Sequence, residues 1–124
     1  MATMETRSVL IVDDSPAFRQ ALRALVERIP AVRVIGEAQD GEQALVAVTM
    51  AKPEVVVIDL AMPVMNGLHA TRLIKARAPG TYVILISIKS DESVRKAATA
   101  AGADAFVWKG SIDAELPSLL GSPR

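Results

Sequence analysis

Five short runs of apolar, largely β-branched residues recur along the chain, each separated from the next by a segment of helical periodicity. They are Val9-Leu10-Ile11-Val12, Val32-Arg33-Val34-Ile35, Val55-Val56-Val57-Ile58, Tyr82-Val83-Ile84-Leu85-Ile86 and Ala105-Phe106-Val107-Trp108. The runs at Val9, Val55 and Tyr82 have no polar alternate positions, as expected of strands covered on both faces of a parallel sheet. The second alternates less cleanly and ends in Gly36-Glu37, which suits an edge strand.

The intervening segments carry helix start and stop signals. Ser15-Pro16 supplies an N-cap and a first-turn proline ahead of the stripe Phe18, Leu22, Leu25, Val26 and Ile29. Asp40 can cap a second helix through Ala44, Leu45 and Val48. A third spans 68–78 and stops at Pro79-Gly80. Ser90 is expected to open a fourth, with Asp91 and Glu92 in its first turn, and Gly102 to close it. The last segment, 112–120, contains Pro117, which allows either a kinked helix or one beginning at Leu116.

Five βα units with crossover-length connections predict an open, doubly wound parallel sheet of order 2-1-3-4-5, with helices on both faces and a short or irregular last helix. At 124 residues and 51% hydrophobic content the chain suits one domain, 1–124, with its own core and with flexible ends at 1–7 and 121–124. The absence of cysteine excludes disulfides and thiolate chemistry. Fourteen basic residues balance fourteen acidic ones, so no direct nucleic-acid binding is expected of this domain. No apolar run approaches the roughly 18 residues of a membrane span, and the first eight residues lack a signal-peptide core. A cytoplasmic protein is expected.

In such sheets, ligands bind beyond the carboxyl ends of the strands, where the strand order switches. There the first run meets Asp13-Asp14, the third Asp59, the fourth Ser87 and the fifth Lys109. Three carboxylates converging at low dielectric repel one another, and a hard divalent cation, Mg2+ or its substitute Mn2+, resolves the conflict. Lys109 and Ser87 can hold a phosphoryl oxygen. The set fits phosphoryl transfer, and Asp59, central among these groups, is the best acceptor. No phosphate-binding glycine loop or dinucleotide fingerprint is present.

The segments Val9 to Asp14, Ile58-Asp59-Leu60-Ala61-Met62-Pro63-Val64-Met65-Asn66-Gly67, Leu85-Ile86-Ser87 and Gly102 to Lys109 resemble the receiver domain of two-component response regulators. The resemblance implies a flavodoxin-like (βα)5 domain that takes a phosphoryl group from a histidine kinase or histidine phosphotransfer protein onto Asp59. It also implies Mg2+ ligation by Asp14, Asp59 and the Ala61 backbone carbonyl, with Asp13 acting through water. Ser87 and Lys109 would contact the phosphoryl group, and Phe106 stands at the aromatic switch position. The switched face would be the fourth helix, fifth strand and last helix, serving a homodimer or an output domain. Such a domain is a phosphoacceptor with weak self-phosphorylation and autodephosphorylation, not an enzyme with an external substrate. Gly67 to Lys75, with Gly110 after the lysine, resembles receivers of the NarL/FixJ type, which implies transcriptional output through a further C-terminal domain or a stand-alone regulator.

Ile88 stands where a small residue is usual, so a narrowed approach to the acceptor is expected. His69, the one histidine, reads as a solvated helix residue, and Met62 and Met65 as packing for the loop after the third strand. Trp108 should share a side with Phe106 beneath the last helix, packed there or offered as an interaction surface. Arg19, Arg23 and Arg28 read as a solvated face, with kinase docking as the alternative. The competing functions are a metal-dependent phosphatase, opposed by Ala61 where a second acid would be needed, and a pseudo-receiver, opposed by the intact acids and Lys109.

Overall fold

The three runs with no polar face become the three interior strands of one parallel sheet. In the computed structural model, which describes residues 6–121, the order of elements is β1 (Arg7–Val12), α1 (Pro16–Glu27), β2 (Val32–Ala38), α2 (Gly41–Ala51), β3 (Val55–Asp59), α3 (Gly67–Arg77), β4 (Tyr82–Ser87), α4 (Glu92–Ala100), β5 (Ala105–Trp108) and α5 (Ile112–Gly121), with a 3-10 turn at Lys109–Ser111 before α5. The strands lie in the order β2-β1-β3-β4-β5, all parallel, in the expected flavodoxin-like fold.

Alternate side chains of each interior strand enter different cores. Val9, Ile11, Val55, Val57, Ile84, Ile86 and Val107 pack with Leu22 and Val26 of α1 and with Ile112, Leu116 and Leu120 of α5. Leu10, Val12, Val56, Ile58, Val83 and Leu85 pack on the other face, with Ala44 and Val48 of α2, Ala70 and Ile74 of α3, and Ala98 of α4. Ile11, Ile58 and Ile84 have no exposed surface, so cutting any of them to alanine costs about 2–5 kcal/mol. Two buried layers hold the sheet rigid, and its carboxyl edge is therefore a fixed platform.

The caps follow local chemistry. The side chains of Ser15, Asp40 and Asn66 accept from the backbone N–H three residues on, at 3.1, 2.9 and 2.9 Å. Three expectations need correcting, and one pair of alternatives is decided. The N-cap position of the fourth helix is Asp91 rather than Ser90, with no capping bond from the Asp91 side chain, and Ser90 uses its carbonyl to accept from Arg95. β2 runs on to Ala38, because the register steps from Val9↔Val34 to Leu10↔Gly36 and the bulge resets its phase. Of the two alternatives for the last helix, the structure has the one that starts at Ile112 and keeps Pro117 inside. Ile112, Leu116 and Leu120, one turn apart and all buried, outweigh the proline's missing N–H. Of the expected flexible ends, Arg7 and Gly121 belong to β1 and α5, and the Arg7 guanidinium donates to the Leu120 carbonyl at 2.9 Å; residues 1–5 and 122–124 lie outside the described residues.

Candidate functional site

The strand order puts the ends of β1, β3, β4 and β5 side by side. Asp13 follows β1 and is fully buried, Asp59 closes β3 with 5% exposure, and Asp14 is exposed. Carboxylate oxygens of the three lie within 4.8 Å of one another. Lys109 Nζ reaches in from the turn after β5, 2.9 Å from Asp13 Oδ2 and 3.2 Å from Asp59 Oδ1. One ammonium against three carboxylates leaves the cluster short of positive charge. Burial, and then the Asp13 carboxylate, push the Asp59 carboxyl from its ordinary 3.8 up to about 6 despite the pull of Lys109.

The backbone around each acid is fastened. Asp13 Oδ1 accepts from the Ser15 N–H at 2.9 Å, its own N–H donates to the Ala38 carbonyl at 3.1 Å, and its carbonyl accepts from Arg19 Nη1 at 2.6 Å. Beyond Asp59, the Leu60 N–H donates to the Ile86 carbonyl and the Gly67 N–H to the Leu60 carbonyl. Gly67 lies so close that a Cβ there would stand 2.2 Å from the Asp59 carbonyl oxygen, which explains glycine at the start of α3.

Asp13, Asp14, Asp59 and Lys109 are thus brought together. Ser87 ends β4 one residue past Ile86, the register partner of Asp59, and is 5% exposed. Its Oγ accepts from the Lys89 N–H at 3.0 Å within its own loop. Ala61 lies in the exposed loop two residues beyond Asp59. Phe106 is outside the cluster: it pairs in register with Leu85, packs half-buried against the α2–α4 core, and has the Arg95 guanidinium 4.8 Å above its ring.

Ile88, one residue past Ser87, is 72% exposed. Two expectations change here. Trp108 does share the Phe106 side, but α5 covers the opposite face, where Val107 packs. The indole is therefore 41% exposed, donates to the Ile88 carbonyl at 3.0 Å and folds over Gly110. Arg19 is not a solvated residue: besides Asp13 it pairs with Glu37 at 3.1 Å, and Arg23 joins the same carboxylate at 2.6 Å. An arginine one turn into the helix after Asp13-Asp14 can reach back to that loop, a signal exposure patterns do not carry. His69 is exposed, and Met62 and Met65 pack against the core as expected.

The donor set fits a hard cation. All three side chains offer oxygen, two are buried, and the pKa of Asp59, raised by burial and then by Asp13, fits a site whose charge a divalent ion would balance. Adjacent lysine and carboxylates are the equipment of phosphoryl transfer, where positioning and neutralisation dominate.

Known proteins resemble this chain in sequence and in fold. Residues 9–120 match the sequence profile of the response regulator receiver domain. The nitrate/nitrite response regulator protein NarL of Escherichia coli is 29% identical over 109 residues, covering 88% of this chain and 50% of NarL. A protein-glutamate methylesterase/protein-glutamine glutaminase of Pyrococcus horikoshii is 42% identical over 108 residues, covering 85% of this chain and 27% of that protein. This chain therefore spans half or less of the length of these relatives. The receiver domain of the putative response regulator NarL from Mycobacterium tuberculosis superposes with a TM-score of 0.87 at 30% identity, covering 94% of each chain. The chain belongs to the receiver domain family of two-component response regulators, and within it is NarL/FixJ-like.

Proposed function

We propose that this receiver accepts a phosphoryl group on Asp59 from a histidine kinase or histidine phosphotransfer protein. The observation that carries the reading is the buried Asp59 carboxylate, 3.2 Å from Lys109 and clustered with Asp13 and Asp14. An Asp59 carboxylate oxygen forms the new P–O bond as the donor's P–N bond breaks, and the histidine nitrogen leaves with the electron pair. Lys109 then exchanges a carboxylate for a phosphoryl oxygen, and the Ser87 hydroxyl turns from its own loop to donate to another.

Asp14, Asp59 and the Ala61 carbonyl would hold Mg2+, or Mn2+ in its place, with Asp13 acting through water. When bound, the ion supplies neutralisation of the charge gathered by acceptor and phosphoryl group. The domain turns over no external substrate, and its own phosphorylation and dephosphorylation are slow. Movement of Ser87 frees space for the Phe106 ring, and the α4-β5-α5 face passes the change to a second copy or to an output domain. The NarL resemblance favours transcriptional output, in the cytoplasm. Among the described residues no helix is long and apolar enough to cross a membrane.

Beryllofluoride, a phosphoryl mimic, tests the reading. With Mg2+ present, 19F NMR should show bound fluoride resonances in the wild type and none in Asp59→Asn. Identical bound resonances in both proteins would place the acceptor elsewhere.

A further inference from the structure

The Lys109 ammonium lies 4.0 Å from the centroid of the Phe18 ring, well inside the roughly 6 Å over which an aromatic face attracts a cation. Its remaining partners are the carboxylates of Asp13 and Asp59. A lysine head group on four rotatable bonds is strongly hydrated and would otherwise turn outward to water; here its side chain is only 15% exposed. The ring itself is fixed. Phe18 sits in the first turn of α1, its N–H donates to the Ser15 hydroxyl at 3.1 Å, Pro16 starts the helix, and its side chain packs against the α1/α5 core.

The helical stripe alone makes Phe18 a core residue, for which leucine would serve as well. The contact adds what leucine lacks, a negative π face directed at a cation. We propose that Phe18 is a positioning residue for phosphoryl transfer: its ring seats the Lys109 ammonium against the Asp13–Asp59 pair, so that the cation is in place when the phosphoryl oxygen arrives. The inference rests on the receiver reading above. It also extends the Ser15 cap, which by fixing the first turn of α1 fixes the ring.

The test uses Phe18→Leu, Phe18→Tyr and a fluorinated phenylalanine series at position 18, which weakens the π face at nearly constant size. In NMR spectra of the metal-free protein, the Lys109 ε-methylene protons should be shifted upfield by the ring current, a shift kept in Phe18→Tyr and lost in Phe18→Leu. The rate of Asp59 phosphorylation by acetyl phosphate should fall roughly twofold to thirtyfold in Phe18→Leu, stay close to wild type in Phe18→Tyr, and decline stepwise with fluorination. An unshifted Lys109 in the wild type overturns the proposal, as do equal rates for Leu and Tyr or a flat fluorination series. A wild type that takes up no phosphoryl group fails the receiver reading and takes the positioning role with it, the ring-current shift then reporting the contact alone.

Discussion

Asp59→Asn should make the metal-free protein more stable, and increasingly so as pH rises. The Asp59 carboxyl is 5% exposed and its pKa is raised from 3.8 to about 6, by burial first and Asp13 second. An unfolded aspartate titrates near 3.9, about two units lower. Because the folded value is the higher one, the folded protein binds more protons between the two, so stability falls as pH rises through that window. The loss is about 1 kcal/mol at pH 4.5 and about 3 kcal/mol at pH 8, where it is complete. That cost already includes the opposing attraction of Lys109. Asparagine has nearly the same shape and never ionises, so it escapes the cost. For a domain of this size the gain at pH 8 corresponds to a rise in Tm of about 10 °C. Urea unfolding of both proteins in EDTA, at pH 4.5 and pH 8, measures it. A variant no more stable than wild type at pH 8, or one equally stabilised at both pH values, would refute the reasoning.

Other perturbations follow from the same geometry. Asp13→Ala should weaken Mg2+ binding by about 10- to 100-fold, as expected of a group acting through water, and Asp14→Ala by more; titration calorimetry ranks them, and the reverse order contradicts the ligand assignment. Gly67→Ala places a Cβ 2.2 Å from the Asp59 carbonyl oxygen, so the loop must shift, at about 1–3 kcal/mol; an unchanged urea midpoint would show that the close approach is not real. Trp108, whose indole is tied to the Ile88 carbonyl just beyond Ser87, should change its fluorescence when beryllofluoride binds wild type but not Asp59→Asn. Constant emission in a demonstrably loaded protein would remove this loop from the signal route.

Much of the fold is legible in the chain because Val55 to Ile58 and Tyr82 to Ile86 are apolar at every position, a pattern that a surface strand could not tolerate. The acids are legible for the same reason: a strand that ends in Asp13 or Asp59 must present it at the sheet's carboxyl edge. What stays hidden depends on neighbours distant in sequence. The bulge at Ile35 is a matter of pairing with β1, not of local propensity. Pro117 argues locally against helix, and only the packing of Leu116 and Leu120 on α1 and the sheet reverses that. Alternation places Trp108 with Phe106, yet which helix covers that face is set by the handedness of the crossovers. Phe18 and Arg19 read as core and surface by periodicity, and their contacts with Lys109 and the Asp13 carbonyl exist only once α1 is docked.

The central claim, that Asp59 is the phosphoacceptor of this receiver, is tested most directly by mass spectrometry after incubation with acetyl phosphate and Mg2+. The account predicts one added phosphoryl group on the intact wild-type protein, mapped after borohydride trapping to the peptide containing Asp59, and none on Asp59→Asn or on wild type in EDTA. Full modification of Asp59→Asn, or a phosphoryl group mapped to any other residue of the wild type, would contradict it.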